Sequence, residues 1–146
     1  MSKSTLNIFL VLSLLIVSFN CNLLDSEQMV SEKILITDEF GNVRGGNLND
    51  WCSRANSNSY GGFRFGAAYP NPCDPNTTIG FDLPTDCFVL IYFDYDKVVF
   101  AGERAAGSYE IKIDKSTFGF ENEVVRIYMR TSTGFACSGY IQFGTL

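Results

Sequence analysis

Apolar and polar positions fall into three regimes along the chain. Residues 6–17 (LNIFLVLSLLIV) are apolar at ten of twelve positions and follow a single early charge, Lys3. As a helix this run rises about 18 Å, short of the roughly 20 residues that cross a hydrocarbon core. It has instead the charged start and apolar centre of an export signal, which assigns residues 1–20 to a leader. Residues 22–33 (NLLDSEQMVSEK) are polar and acidic without a sustained apolar period, which suits a tether at 21–33. From residue 34 the chain turns to strand-like runs, and from residue 63 onward apolar side chains recur with period two, the spacing of half-buried strands.

Within that third regime, Ile34-Leu35-Ile36-Thr37, a turn through Asp38-Glu39-Phe40-Gly41-Asn42, and Val43 predict a short hairpin that ends at Gly45-Gly46-Asn47. Residues 53–62 (SRANSNSYGG) read as a surface loop, so residues 34–66 form a hairpin and loop extension. Trp51, beside Cys52, is a large ring expected to pack on a domain face. Ile79, Phe81 and Leu83 then alternate with polar or small residues, as do Tyr109, Ile111 and Ile113, and later Val125, Ile127 and Met129. The run 87–94 (CFVLIYFD) is apolar almost throughout and predicts a central strand covered on both faces. Residues 97–101 and 137–143 add two more strands, and 115–121 holds one short helical turn at most. Strands at this spacing, with turn residues between them, predict an all-β, antiparallel two-sheet sandwich. Its expected core is Ile79, Phe81, Leu83, Val89, Ile91, Phe93, Ile111, Ile113, Val125, Ile127, Ile141 and Phe143.

Cysteine placement adds a location. Val17-Ser18-Phe19-Asn20-Cys21 resembles the lipobox of bacterial lipoproteins. The resemblance implies that Cys21 becomes an acylated N-terminus, with the membrane as partner through its acyl chains. Asn22, in place of the Asp that retains some lipoproteins at the inner membrane, implies the outer membrane. Four cysteines then remain, Cys52, Cys73, Cys87 and Cys137, and an even number in an exported chain predicts two disulfides. With the strand at 77–84 running up, Cys73 lies at its lower end and Cys87 at its top. An eight-residue strand spans about 26 Å, far beyond disulfide reach, which disfavours that pair. Cys137, entering at the top, favours Cys87, leaving Cys52 for Cys73. If residues 53–66 themselves include a strand running down, Cys52 lies at the top and can reach Cys137.

Residues 67–146 resemble the immunoglobulin-like C-terminal domain shared by the flagellar hook-cap protein and type IX secretion sorting domains. The resemblance is carried by Tyr69-Pro70-Asn71-Pro72, then 77–84 (TTIGFDLP), 105–110 (AAGSYE) and Ser138-Gly139-Tyr140-Ile141. It implies an immunoglobulin or fibronectin-III-like sandwich over 67–146, and a protein partner or the secretion machinery as what it meets. Pro70 and Pro72 fix φ and remove two backbone donors, so this segment is expected as an extended entry into the first core strand. Cys73 stands where the family has an aromatic, and the last strand, through 141–146, has no basic residue.

Composition narrows the chemistry. The chain has no His, which excludes Ser/His/Asp triads, Cys/His dyads and His-bearing zinc sites. A net charge of −5 leaves no broad basic surface for phosphate backbones, so no nucleic acid is expected. Asp74, Asp94 and Asp96 are acids of the type that binds calcium, yet they lack the spaced Asp/Asn run of a calcium loop and read as solvent contacts. Exposed Tyr92, Tyr95, Tyr128 and Tyr140 suit a sugar platform or, more simply, cross-strand pairs that stabilise a sheet. The expectation is a non-catalytic envelope lipoprotein, with no cofactor, no metal and no catalytic residue, whose sandwich serves adhesion, scaffolding or assembly. The alternative is a secretion substrate sorted by its C-terminal domain.

Overall fold

The computed structural model describes residues 32–52 and 61–145. Cys21, the leader, the tether up to residue 31 and loop positions 53–60 lie outside them. Strands β1 (Leu35–Thr37) and β2 (Val43–Gly46) form the expected hairpin, with β2 extending through the glycines expected to end it. A three-stranded sheet orders β3 (Arg64–Phe65), β4 (Asn76–Leu83) and β7 (Gly107–Asp114) as β3-β4-β7. A four-stranded sheet orders β5 (Cys87–Phe93), β6 (Val98–Arg104), β8 (Glu123–Thr131) and β9 (Ala136–Phe143) as β6-β5-β8-β9. Every strand pair is antiparallel. The helical turn α1 (Lys115–Phe118) starts on Asp114, whose carboxylate accepts from the Ser116 N–H, and stops at Gly119 in the left-handed region.

The alternation seen in the sequence is the alternation of burial. On β4, Thr77, Ile79, Phe81 and Leu83 are buried while the residues between them are half exposed. Apolar faces of both larger sheets enter one core cluster, so the fold is all-β with two sheets sharing a single interior. That cluster also takes in Leu35, Trp51 and Phe65, which precede residue 67.

Two expectations about burial are corrected. Ile111 is only half buried, because β7 is a sheet edge and Ile111 borders an opening of about 440 Å³ shared with Val99 of β6 and Phe118 of α1. The central position of β5 holds, but its second face is not covered. Phe88 is 39% exposed, and Leu90 and Tyr92 are half buried, since no layer lies beyond that face among the described residues.

The disulfide pairing is corrected as well. Cys52 bonds Cys137, with Cα atoms 5.9 Å apart, and Cys73 and Cys87 are free and buried. Cys87 and Cys137 do share the top of one sheet, but β8 lies between their strands. Two strand spacings separate them by about 9.5 Å, beyond disulfide reach. Cys73 pairs with Phe143 at the far end of β9 from Cys137, so Cys52 cannot serve both. The deciding element is β3, which runs antiparallel to β4 and brings the preceding chain in from the top.

Candidate binding face

Tyr69, Pro70, Asn71 and Pro72 form the joint between hairpin and sandwich. Asn71 is fully buried and all of its polar groups are used. Its Nδ2 donates to Leu35 O (2.9 Å) and Tyr140 O (3.0 Å), while its Oδ1 accepts from Gln142 N (2.9 Å). Its backbone exchanges two hydrogen bonds with Thr37. One side chain therefore ties β1 to β9. Around it Thr77 Oγ1 donates to Pro70 O (2.8 Å), Thr37 Oγ1 to Ala68 O (2.6 Å), and the Tyr69 hydroxyl to Glu110 Oε1 (2.8 Å). The entry is not the plain extended segment expected: Pro70 and Pro72, each following a cis peptide bond, stand at bends between the bridge residues Tyr69, Asn71 and Cys73, and Tyr69 and Asn71 lock the segment.

A second tie runs through Asp50 to Cys52. Asp50 accepts from Leu35 N and Tyr140 N, one carboxylate oxygen for each, both at 3.0 Å. Burial pushes this carboxyl up to about 6, against the pull of those two donors. Trp51 is 2% exposed, meets Phe65 at 5.3 Å, and lies flat over Gly139, where a Cβ would come within 2.2 Å of the indole ring. Its indole N–H makes no hydrogen bond of full geometry, although it lies near enough to Asp50 to help hold that carboxyl ionised. The free thiols are placed for packing. Burial, aided by the Asp74 charge, pushes Cys73 up to about 12, and burial raises Cys87 too, so both stay protonated and unreactive.

The outer face of the four-stranded sheet is chemically different. Tyr92 and Tyr128 are register partners, with ring centroids 5.1 Å apart and planes 14° from parallel. Arg130 lies over Tyr92 at 5.8 Å, and Arg126 lies over both Tyr128 (5.2 Å) and Tyr140 (5.4 Å). The result is a continuous ladder: Arg130, Tyr92, Tyr128, Arg126, Tyr140. Arg126 is fixed by Nε and Nη2 donating to Ser138 Oγ at 3.2 and 2.8 Å. The Asp94 carboxylate near the Tyr128 hydroxyl raises that phenol's pKa. Tyr95 falls in the 3-10 turn Asp94–Asp96, and its side chain lies outside the described residues.

No family model, curated protein or solved structure matches the chain. The kinship suggested by Tyr69-Pro70-Asn71-Pro72 therefore rests on those residues and their neighbours. Asp74 of the candidate cation ligands pairs with Lys115 at 2.5 Å, and among the described residues no group of three acids or cysteines is placed to hold a metal ion. A cleft of about 250 Å³ between hairpin and three-stranded sheet includes Arg64 and Glu110, but Arg64 is paired with Asp82 and Glu110 with Tyr69. The ladder was legible only as scattered tyrosines. Its arginines were missed, although Arg126 and Arg130 alternate in step with Tyr128.

Proposed function

We propose that this chain is a non-catalytic cell-envelope lipoprotein, exported by residues 1–20 and held at the outer membrane through acyl chains on Cys21. Its β-sandwich is an adhesion, scaffold or assembly module. The observation that carries this reading is the Cys52–Cys137 disulfide, which belongs to an oxidising compartment outside the cytosol. An export-type apolar run ending near Cys21 leads to the same place by an independent route. Two or more acyl chains make such attachment stable, where one does not. The test is Cys21→Ser with membrane fractionation, combined with mass spectrometry of the purified native protein. The variant is expected in the soluble fraction and the native protein to carry acyl mass on Cys21; a Cys21→Ser protein that stays with the membrane overturns the proposal.

The second reading, a type IX-like sorting domain, is favoured by the Tyr69-Pro70-Asn71-Pro72 entry into a sandwich whose strands divide three and four, as an immunoglobulin-like domain divides them. The same mass spectrum separates the two. A mature protein that retains residues 67–146 supports the envelope module, and one that has lost them supports sorting.

A further inference from the structure

We infer that the outer face of the β6-β5-β8-β9 sheet is a docking surface for a protein partner that presents clustered carboxylates. Charge complementarity is the first argument. A guanidinium has five N–H donors; Arg126 uses two of them on Ser138, and Arg130 donates to no acceptor among the described residues. Neither forms an ion pair there, whereas Arg44 and Arg64 each hold an aspartate. Arg104 too is held on rings without an ion pair, but Arg126 and Arg130 stand together on one face. The nearest carboxylates there, Asp50 and Asp94, are engaged by backbone N–H groups and by the Tyr128 hydroxyl, so the open donors of the two arginines suit an acidic partner.

Composition is the second. Four large apolar side chains are exposed among the described residues, and two of them, Phe88 (39%) and Val98 (53%), stand on this face beside the ladder. Val98 is the register partner of Tyr92. Glu103 is the one acid, and no lysine occurs, among the strand positions that alternate onto the face, and Asp94, just past the end of β5, adds a second carboxylate at the Tyr128 hydroxyl. Tyrosine, arginine and aliphatic groups with few other charges are what protein interfaces enrich, and Tyr and Arg carry much of their energy. An acidic polysaccharide fits less well, because a sugar stacks on an open ring face. Here Tyr92 and Tyr128 use their faces on one another and on the two arginines.

This inference rests on the reading of the sandwich as a binding module but not on the anchor, so Cys21→Ser tests one and the following experiment the other. Register places Ala101, Leu90, Arg130 and Ala136 in one row across the four strands. In full-length protein in its own cells, a photoreactive phenylalanine analogue is placed at Ala101 or at Ala136, with Lys112 on the other sheet as the control position. The expected result is one protein adduct from both alanine positions and none from Lys112, mapping to a partner peptide rich in Asp and Glu. Its yield falls roughly tenfold or more in Arg130→Glu, and also falls in the milder Arg130→Gln, with thermal unfolding unchanged. Reversing the partner's acid to arginine restores the adduct with Arg130→Glu. The inference is overturned by no adduct, by equal adducts from Lys112, by adducts to polysaccharide or lipid alone, by a partner peptide without carboxylates, or by yields indifferent to both Arg130 variants.

Discussion

Asn71→Ala is the substitution that most directly tests how this fold is held together. It deletes the two Nδ2 donations to Leu35 O and Tyr140 O and the acceptance from Gln142 N, all around a residue with no exposed surface. A buried polar group left without its partner costs about 1–3 kcal/mol. Three such groups, two of them carbonyls that lose a charge-neutral donor, give about 3–5 kcal/mol, a large share of a stability of about 5–15 kcal/mol. Asn71→Asp preserves shape and volume but sets a carboxylate against two carbonyl oxygens, so it should be at least as damaging at neutral pH. Urea unfolding followed by the fluorescence of Trp51, the single tryptophan and a buried one, measures both variants. Limited proteolysis adds a local readout, with earlier cleavage expected within residues 34–46 as the hairpin loses its tie. A cost under about 1 kcal/mol for Asn71→Ala, with the hairpin still protected, would refute the claim that this side chain couples β1 to β9.

Gly139→Ala should cost about 1–3 kcal/mol or more, since its Cβ would overlap the Trp51 ring, and should also shift Trp51 emission; unchanged emission and stability would place the indole elsewhere. Cys52→Ser should lower stability by about 2–5 kcal/mol, because the bond closes a separation of 85 residues, whereas Cys73→Ser and Cys87→Ser should leave a non-reducing Cys52–Cys137 peptide intact. Asp50 is held near 6 in the fold against an ordinary value of 3.8, so the native state binds the extra proton and stability should fall as pH rises from about 4 to 6. After allowance for its partial exposure the loss is about 1 kcal/mol relative to Asp50→Asn, read as a difference between two urea midpoint-versus-pH curves; parallel curves would contradict it.

Period-two alternation made most of the strands legible because each inner position faces one shared core, and the side chain that reads as apolar is the one that is buried. Eleven of the twelve expected core residues are buried, and the exception, Ile111, sits where β7 has no further neighbour. An edge is a property of sheet order, which local alternation does not encode. β3 escaped for the opposite reason. Two residues, Arg64 and Phe65, are too few to show a period, yet their direction decides on which side the preceding chain enters and hence which cysteine Cys52 meets.

The candidate face was harder to see because its meaning lies between strands. Tyr92, Tyr128 and Tyr140 are individually ordinary outward residues, and Arg126 and Arg130 are individually ordinary charges on the polar side of β8. Only the register, which sets Tyr92 against Tyr128 and Arg126 against Tyr140, converts them into one stacked ladder. That ladder holds its arginines over rings and not on carboxylates, so each guanidinium is placed while most of its hydrogen-bond capacity stays open. Cation–ring contacts of this kind contribute about 0.5–1 kcal/mol each when exposed, enough to order a side chain but less than a charged hydrogen bond gives. A carboxylate arriving from outside would therefore find donors already placed on this face and gain more than it displaces, which is the physical reason to look for the partner on this side of the sandwich.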